Sequence, residues 1–160
     1  MGSLIIREKN SQDKAWVQTL LLESWGSKRM LLQGRAYYPI DLPGFIAEMN
    51  GERIGLLTYS IDGKSCEIIS LNSLQPRLGI GTQLLDALKQ AAKKNGCTEL
   101  KLRTTNDNTD ALRFYQKYGF HLHALYKDAV TQDRLLKPEI PLTAENGILI
   151  EDYLLLKMSL

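Results

Sequence analysis

The segment Leu74-Gln75-Pro76-Arg77-Leu78-Gly79-Ile80-Gly81-Thr82 holds the spacing closest to a recognisable chemical task. Two glycines separated by one residue let a backbone turn tightly. A helix starting there leaves amide N–H groups with no intrahelical acceptor. Those donors, with the positive end of the helix dipole, suit a phosphate or pyrophosphate. The same spacing also serves a plain helix start that needs small residues for packing, and Gly-x-Gly alone does not choose. Two other phosphate loops are excluded. No Gly-Lys-Ser/Thr string follows at P-loop spacing, and Leu84 stands where a dinucleotide fingerprint wants a third small residue.

Other reactive side chains are read against their neighbours. Tyr115 shares a helical stripe with Ala111, Phe114 and Tyr118, and on spacing alone such a stripe is core. Glu67 alternates with Ile69 and Leu71; a carboxylate among apolar neighbours needs an explanation, yet a solvated Glu just past the Asp62-Gly63 turn is equally ordinary. His121 and His123 are expected to point to one face of a strand, in surface or packing roles, because no acidic or thiol partner lies near them in sequence. Cys66 and Cys97 have no metal spacing, and Cys97 follows an Asn95-Gly96 turn with no nucleophile motif around it. No metal is expected.

The elements that must position these residues follow from periodicity. Leu4 to Arg7 reads as an opening strand. Ser11 is expected to cap a helix with Val17, Leu20, Leu21 and Ser24 on one face, and Ser27 to Gln33 to form a second short helix. Pro39 and Pro43 keep Tyr37 to Gly44 irregular. Phe45–Met49, Arg53–Ile61 and Cys66–Leu74 read as three consecutive antiparallel strands joined at Asn50-Gly51 and Asp62-Gly63. That argues against a doubly wound parallel sheet. Leu84, Leu85, Leu88, Ala91 and Ala92 then recur at helical period, Glu99 to Thr104 alternates as a strand, and Asn108 caps a helix closed by Gly119. Strands over Phe120–Tyr126 and Ile150–Lys157, with a helix over Val130–Leu136 between them, complete an α+β fold built on a mixed α/β sheet.

Composition bounds the rest. At 160 residues, 44% hydrophobic and 24% charged, the chain is expected to be one soluble globular domain spanning 1–160. A net charge of +2 gives no reason to expect a nucleic-acid partner. No apolar run approaches the ~18 residues that cross a bilayer, and the first residues lack the basic-then-apolar pattern of a secretory signal. The expectation is a cytoplasmic protein without a membrane partner.

The pairing of Gly79-Ile80-Gly81 with Asn106-Asp107-Asn108 through Phe114-Tyr115-Gln116-Lys117-Tyr118-Gly119-Phe120, in this order of elements, resembles the GNAT superfamily of acyl-CoA-dependent N-acyltransferases. The resemblance is strongest from Phe45 to Phe120. It implies an antiparallel meander followed by parallel, splayed strands flanked by helices, with acetyl-CoA as co-substrate and no metal. It implies that Leu78, Gly79, Ile80, Gly81 and Thr82 cradle the pyrophosphate, and that backbone near Leu71 and Ser73 holds the pantetheine and polarises the thioester carbonyl. Asn106 and Asn108 would flank the pantetheine. Tyr115 would donate to the departing thiolate, and Glu67 is the candidate general base, directly or through water. The sequence departs from the family loop at its first position, where Pro76 offers no N–H; Arg77 would supply charge from a shifted position.

The expected activity is transfer of an acetyl group to a primary amine by direct attack on the thioester. The acceptor would be a small molecule or a peptide, built against 25–44 and 127–147, and a homodimer is admitted. The alternative is a catalytically silent CoA-binding regulatory module of the same fold.

Overall fold

The computed structural model describes residues 2–160 and divides into two compact units. One holds the chain up to Met30, Tyr38–Leu100 and Leu160; the other holds Leu31–Tyr37 and Lys101–Ser159. Both mix strands and helices, giving the mixed α/β class expected.

In the first unit, β1 (Ile5–Glu8), β4 (Gly44–Met49), β5 (Glu52–Asp62) and β6 (Ser65–Ser73) pair antiparallel in that order. The turn between β4 and β5 is the expected one: Asn50 and Gly51 take φ of 55° and 76°. The next turn falls one residue later than expected, because Asp62 still pairs with Ser65.

Two helices cover opposite faces of these strands. In the β4–β5 register Ile46 lies opposite Leu56, and both pack with Val17, Leu20 and Leu21 of α1 (Lys14–Trp25). Ala47 lies opposite Gly55 on the other face, under α2 (Ile80–Lys94). A Cβ on Gly55 would stand 2.6 Å from Ile80 Cγ2, so the missing side chain is what lets α2 approach. Leu84, Leu85 and Leu88 are fully buried there, each stabilising by roughly 1.5–3 kcal/mol.

The expected cap of α1 is corrected. Asn10, not Ser11, opens it: its side chain accepts from the Gln12 N–H at 2.9 Å, while the Asp13 carboxylate accepts from the Asn10 N–H at 2.8 Å. This reciprocal arrangement closes a 3₁₀ turn over Ser11–Asp13, from which α1 continues. Ser24 is exposed rather than on the buried face.

No helix forms over Ser27 to Gln33. Instead β2 (Met30–Leu32) and β3 (Arg35–Tyr37) pair across Gln33 and Gly34, whose φ of 50° and 81° bend the chain back. The segment is too short to nucleate a stable helix, and this two-residue turn offers a paired alternative.

The second unit continues from β7 (Glu99–Thr105) through α3 (Thr109–Tyr118), β8 (His121–Tyr126), α4 (Ala129–Leu136) and β9 (Tyr153–Ser159), with β9 between β7 and β8. Val130, Ile150 and Tyr153 form its core, with Leu32 and Tyr126 against them. Arg134 of α4 donates to the carbonyls of Ile140, Pro141 and Ile150, which ties down the irregular stretch that follows α4. His121 pairs with Lys157 and Leu122 with Leu156, but Ala124 pairs with Leu155, leaving His123 as the extra residue of a bulge. The expected single face for the two histidines is therefore broken.

Candidate active site

The glycine loop is the clearest feature of the first unit. Residues 73–79 are exposed, and the chain turns through left-handed conformations at Arg77 (φ 64°) and Gly79 (φ 70°) before α2 begins. Gly79 meets no neighbour that would block a side chain, so its positive φ is what calls for glycine there. The first bond into the helix is from the Gln83 N–H to the Gly79 carbonyl at 3.0 Å. The N–H groups of Ile80, Gly81 and Thr82 precede it, and among the described residues no side chain caps this helix. A row of amides at the positive end of a 15-residue helix is thus open to an anion. Arg77 adds an exposed guanidinium beside it. Pro76 is exposed in the same turn and has no N–H to add.

On β6 the register explains which groups face where. Leu74 donates its N–H to Ile54 of β5, so by alternation the N–H and C=O of Leu71 and Ser73 point away from β5. Thr58 pairs with Ser70 but Tyr59 pairs with Ile68, so Ile69 is the extra residue of a bulge. The bulge overturns the expected alternation of Glu67 with Ile69 and Leu71. Glu67 stands opposite Ser60, and Ser60 shares its face of β5 with Thr58, which puts Glu67 on the Ser70 face. Glu67 is 6% exposed, so it is not a solvated strand-start residue.

In the second unit Tyr115 is buried edge-on against Phe114 and Phe120, at ring distances of 5.1 and 5.5 Å. Burial alone pushes its phenol well above the usual tyrosine value, so it stays protonated. Tyr153 is buried too, but its hydroxyl lies 2.7 Å from the Asp133 carboxylate and 3.1 Å from the Leu31 carbonyl. No such bond holds the Tyr115 hydroxyl among the described residues. Of the two asparagines at the exit of β7, Asn106 carries structural work that sequence reasoning missed. The Asn106 amide donates to the Leu149 carbonyl at 2.8 Å and accepts from the N–H groups of Glu151 and Asp152, both at 3.0 Å. The Asn108 side chain accepts from the Ala111 N–H at 3.3 Å and caps α3, as expected.

A sequence profile of the acetyltransferase (GNAT) family matches residues 12–120, which include the glycine loop and Tyr115. The chain belongs to the GNAT acetyltransferase family. It is 45% identical over 153 residues to the protein YdhI of Bacillus subtilis (strain 168), covering 95% of this chain and 96% of that one. Its fold superposes on the IAA acetyltransferase of Bacillus cereus ATCC 14579 with a TM-score of 0.77 and 25% identity, over 99% of this chain and 100% of the other. A GNAT family acetyltransferase from Elizabethkingia anophelis, solved with acetyl-CoA bound, shares the fold at a TM-score of 0.70 and 24% identity, over 98% of each chain. Membership makes this chain an acyltransferase by family. Among the described residues no helix is long and apolar enough to cross a membrane.

Proposed function

We propose that this protein transfers the acetyl group of acetyl-CoA to a primary amine by direct attack on the thioester. The observation that carries the reading is the uncapped start of α2, where the amides of Ile80, Gly81 and Thr82 have no acceptor of their own. They and the N–H groups of Leu78 and Gly79 bind the pyrophosphate, with Arg77 adding charge. The backbone of Leu71 and Ser73, turned away from β5, pairs with the pantetheine arm, and an N–H there faces the thioester oxygen. Such a donor is worth ~3 kcal/mol when negative charge develops on that oxygen. Asn106 and Asn108 shape the exit of β7 beside the pantetheine through the backbone they fix.

The amine nitrogen forms a bond to the thioester carbon, and the carbonyl electrons move onto oxygen. Collapse of that intermediate breaks the C–S bond and releases a thiolate. The proton lost by the nitrogen goes to Glu67, directly or through water. An alkyl amine at a pKa of ~10.4 requires such a base, whereas an α-amine at ~7.7–8.0 hardly does. Tyr115 donates a hydrogen bond to the departing sulfur. Its raised pKa makes it a poor source of a full proton for a thiolate of pKa ~8.5, so stabilisation rather than protonation is its task.

The deciding experiment follows thiol release from acetyl-CoA across a panel of small amines and peptides. Release that requires an amine is the expected result. Tight CoA binding with no release across the panel would instead mark a silent regulatory module, the reading that Pro76 favours. CoA at a hundred times its Kd should stabilise the fold by ~2.7 kcal/mol under either reading. No thermal shift would overturn both.

A further inference from the structure

The bulge at Ile69 assembles a polar row on the face of β6 that α1 covers. Glu67 lies opposite Ser60, Ser70 opposite Thr58, and Asn72 opposite Leu56, a residue of the α1 core. Thr58 and Ser70 satisfy each other through their hydroxyls. Asn72 is different. Its Nδ2 donates to Ser24 Oγ at 3.3 Å, while its Oδ1 is buried without a partner among the described residues. Buried carbonyl oxygens are nearly always paired, so an oxygen kept unpaired beside a catalytic strand asks for a donor from outside the chain. The tie to Ser24 is long and single, and Ser24 sits in the exposed last turn of α1 before Gly26 turns left-handed, so a ligand can displace it.

We propose that Asn72 determines acceptor specificity by accepting a hydrogen bond from a second donor group on the acceptor amine, so that the preferred acceptor is an extended molecule with two donors. This rests on the reading of Glu67 as the base and of β6 as the acetyl-CoA strand. The pantetheine arm pairs with the backbone of Leu71 and Ser73 in the plane of the sheet. The Asn72 side chain stands out of that plane on the α1 face, the same face as Glu67, so it serves the acceptor. At a strand rise of about 3.3 Å per residue, and allowing for the bulge, the Glu67 and Asn72 backbones lie on the order of 13 Å apart. One small nitrogen cannot reach both. A chain with a reacting amine near Glu67 and an N–H or O–H near Asn72 can.

The test compares α,ω-diaminoalkanes of four to eight carbons with the matched monoalkylamines, in the wild-type chain and in Asn72→Ala. In the wild type, kcat/KM should favour the best diamine by about tenfold over its monoamine, because a buried polar group rejects an analogue that leaves it unpaired. In Asn72→Ala that preference should collapse to within about twofold through a raised diamine KM, with the acetyl-CoA KM unchanged. Asn72→Asp, which keeps an acceptor oxygen at that position, should retain the preference, and Ser24→Ala should leave it intact. An equal diamine preference in wild type and Asn72→Ala overturns the proposal, as does a change in the acetyl-CoA KM instead. The absence of thiol release with every amine, in wild type as well, would be a failure of the acetyltransferase reading itself and is recognised by that.

Discussion

Two of the helices that follow a strand, α2 and α3, treat their first amides in opposite ways. At α3 the Asn108 side chain folds back onto the Ala111 N–H. At α2 the chain passes through Gly79, and no side chain returns. The other helix starts resemble α3 rather than α2. The turn leading into α1 is closed by Asn10 and Asp13, and at α4 the Glu151 carbonyl accepts from the N–H groups of Val130 and Thr131. A missing cap costs about 1 kcal/mol, and a long helix left open where the others are closed is what the proposed diphosphate site would require. Two of the buried tyrosines repeat the contrast, Tyr153 being held by Asp133 and the Tyr115 hydroxyl having no such bond among the described residues.

Substitutions on each side of the contrast should have separable consequences. The largest effect is expected at Asp13, whose fully buried carboxylate binds Arg7 at 2.7 Å and Arg53 at 2.9 Å. Asp13→Ala should lower unfolding stability by about 3 kcal/mol, because two guanidinium groups lose their partner, and should leave CoA affinity of the folded protein within twofold. Chemical denaturation with calorimetric CoA titration measures both. The hydrogen bond from Arg7 holds the Asp13 carboxyl well below the usual carboxylate range. Its contribution is therefore complete above a pH of about 4 and is lost as pH falls below that toward the depressed folded value. In Asp13→Ala the acid-side decline in stability should flatten.

Tyr115→Phe comes next, with kcat expected to fall about hundredfold while CoA affinity stays within twofold. A variant that turns over normally would place Tyr115 with Tyr153 as core. Gly81→Val should weaken CoA binding about tenfold with little loss of thermal stability, since a side chain then intrudes on the open amides. Unchanged affinity would mean that the start of α2 holds no diphosphate. The smallest effect belongs to Asn108→Ala, about 1 kcal/mol of stability, read from the shift in denaturant midpoint.

How much of this the sequence reveals depends on the range of the interaction involved. Asn50-Gly51, the glycine loop and the Asn108 cap are legible because each is decided within a few residues. The cap of α1 is missed by one position, since Asn10 and Ser11 are both good capping residues and only the return bond from Asp13 chooses between them. The β2–β3 hairpin is hidden because Gln33 is an unusual residue at positive φ. The bulge at Ile69 is invisible along β6 itself. It exists only in the pairing with β5, and it reassigns the face of Glu67. Likewise nothing near Asn106 announces that its amide will secure the chain at 149–152.

The two cysteines bear on how the enzyme can be watched. Both are buried, and burial together with nearby Cys97 and Glu67 pushes the Cys66 thiol up to about 12. At neutral pH a disulfide reagent reads thiolate, so folded Cys66 is almost silent beside free coenzyme, whose thiol ionises near 8.5. A colorimetric trace of product should therefore start from a low, flat background. A rise in that background on warming would report the core opening.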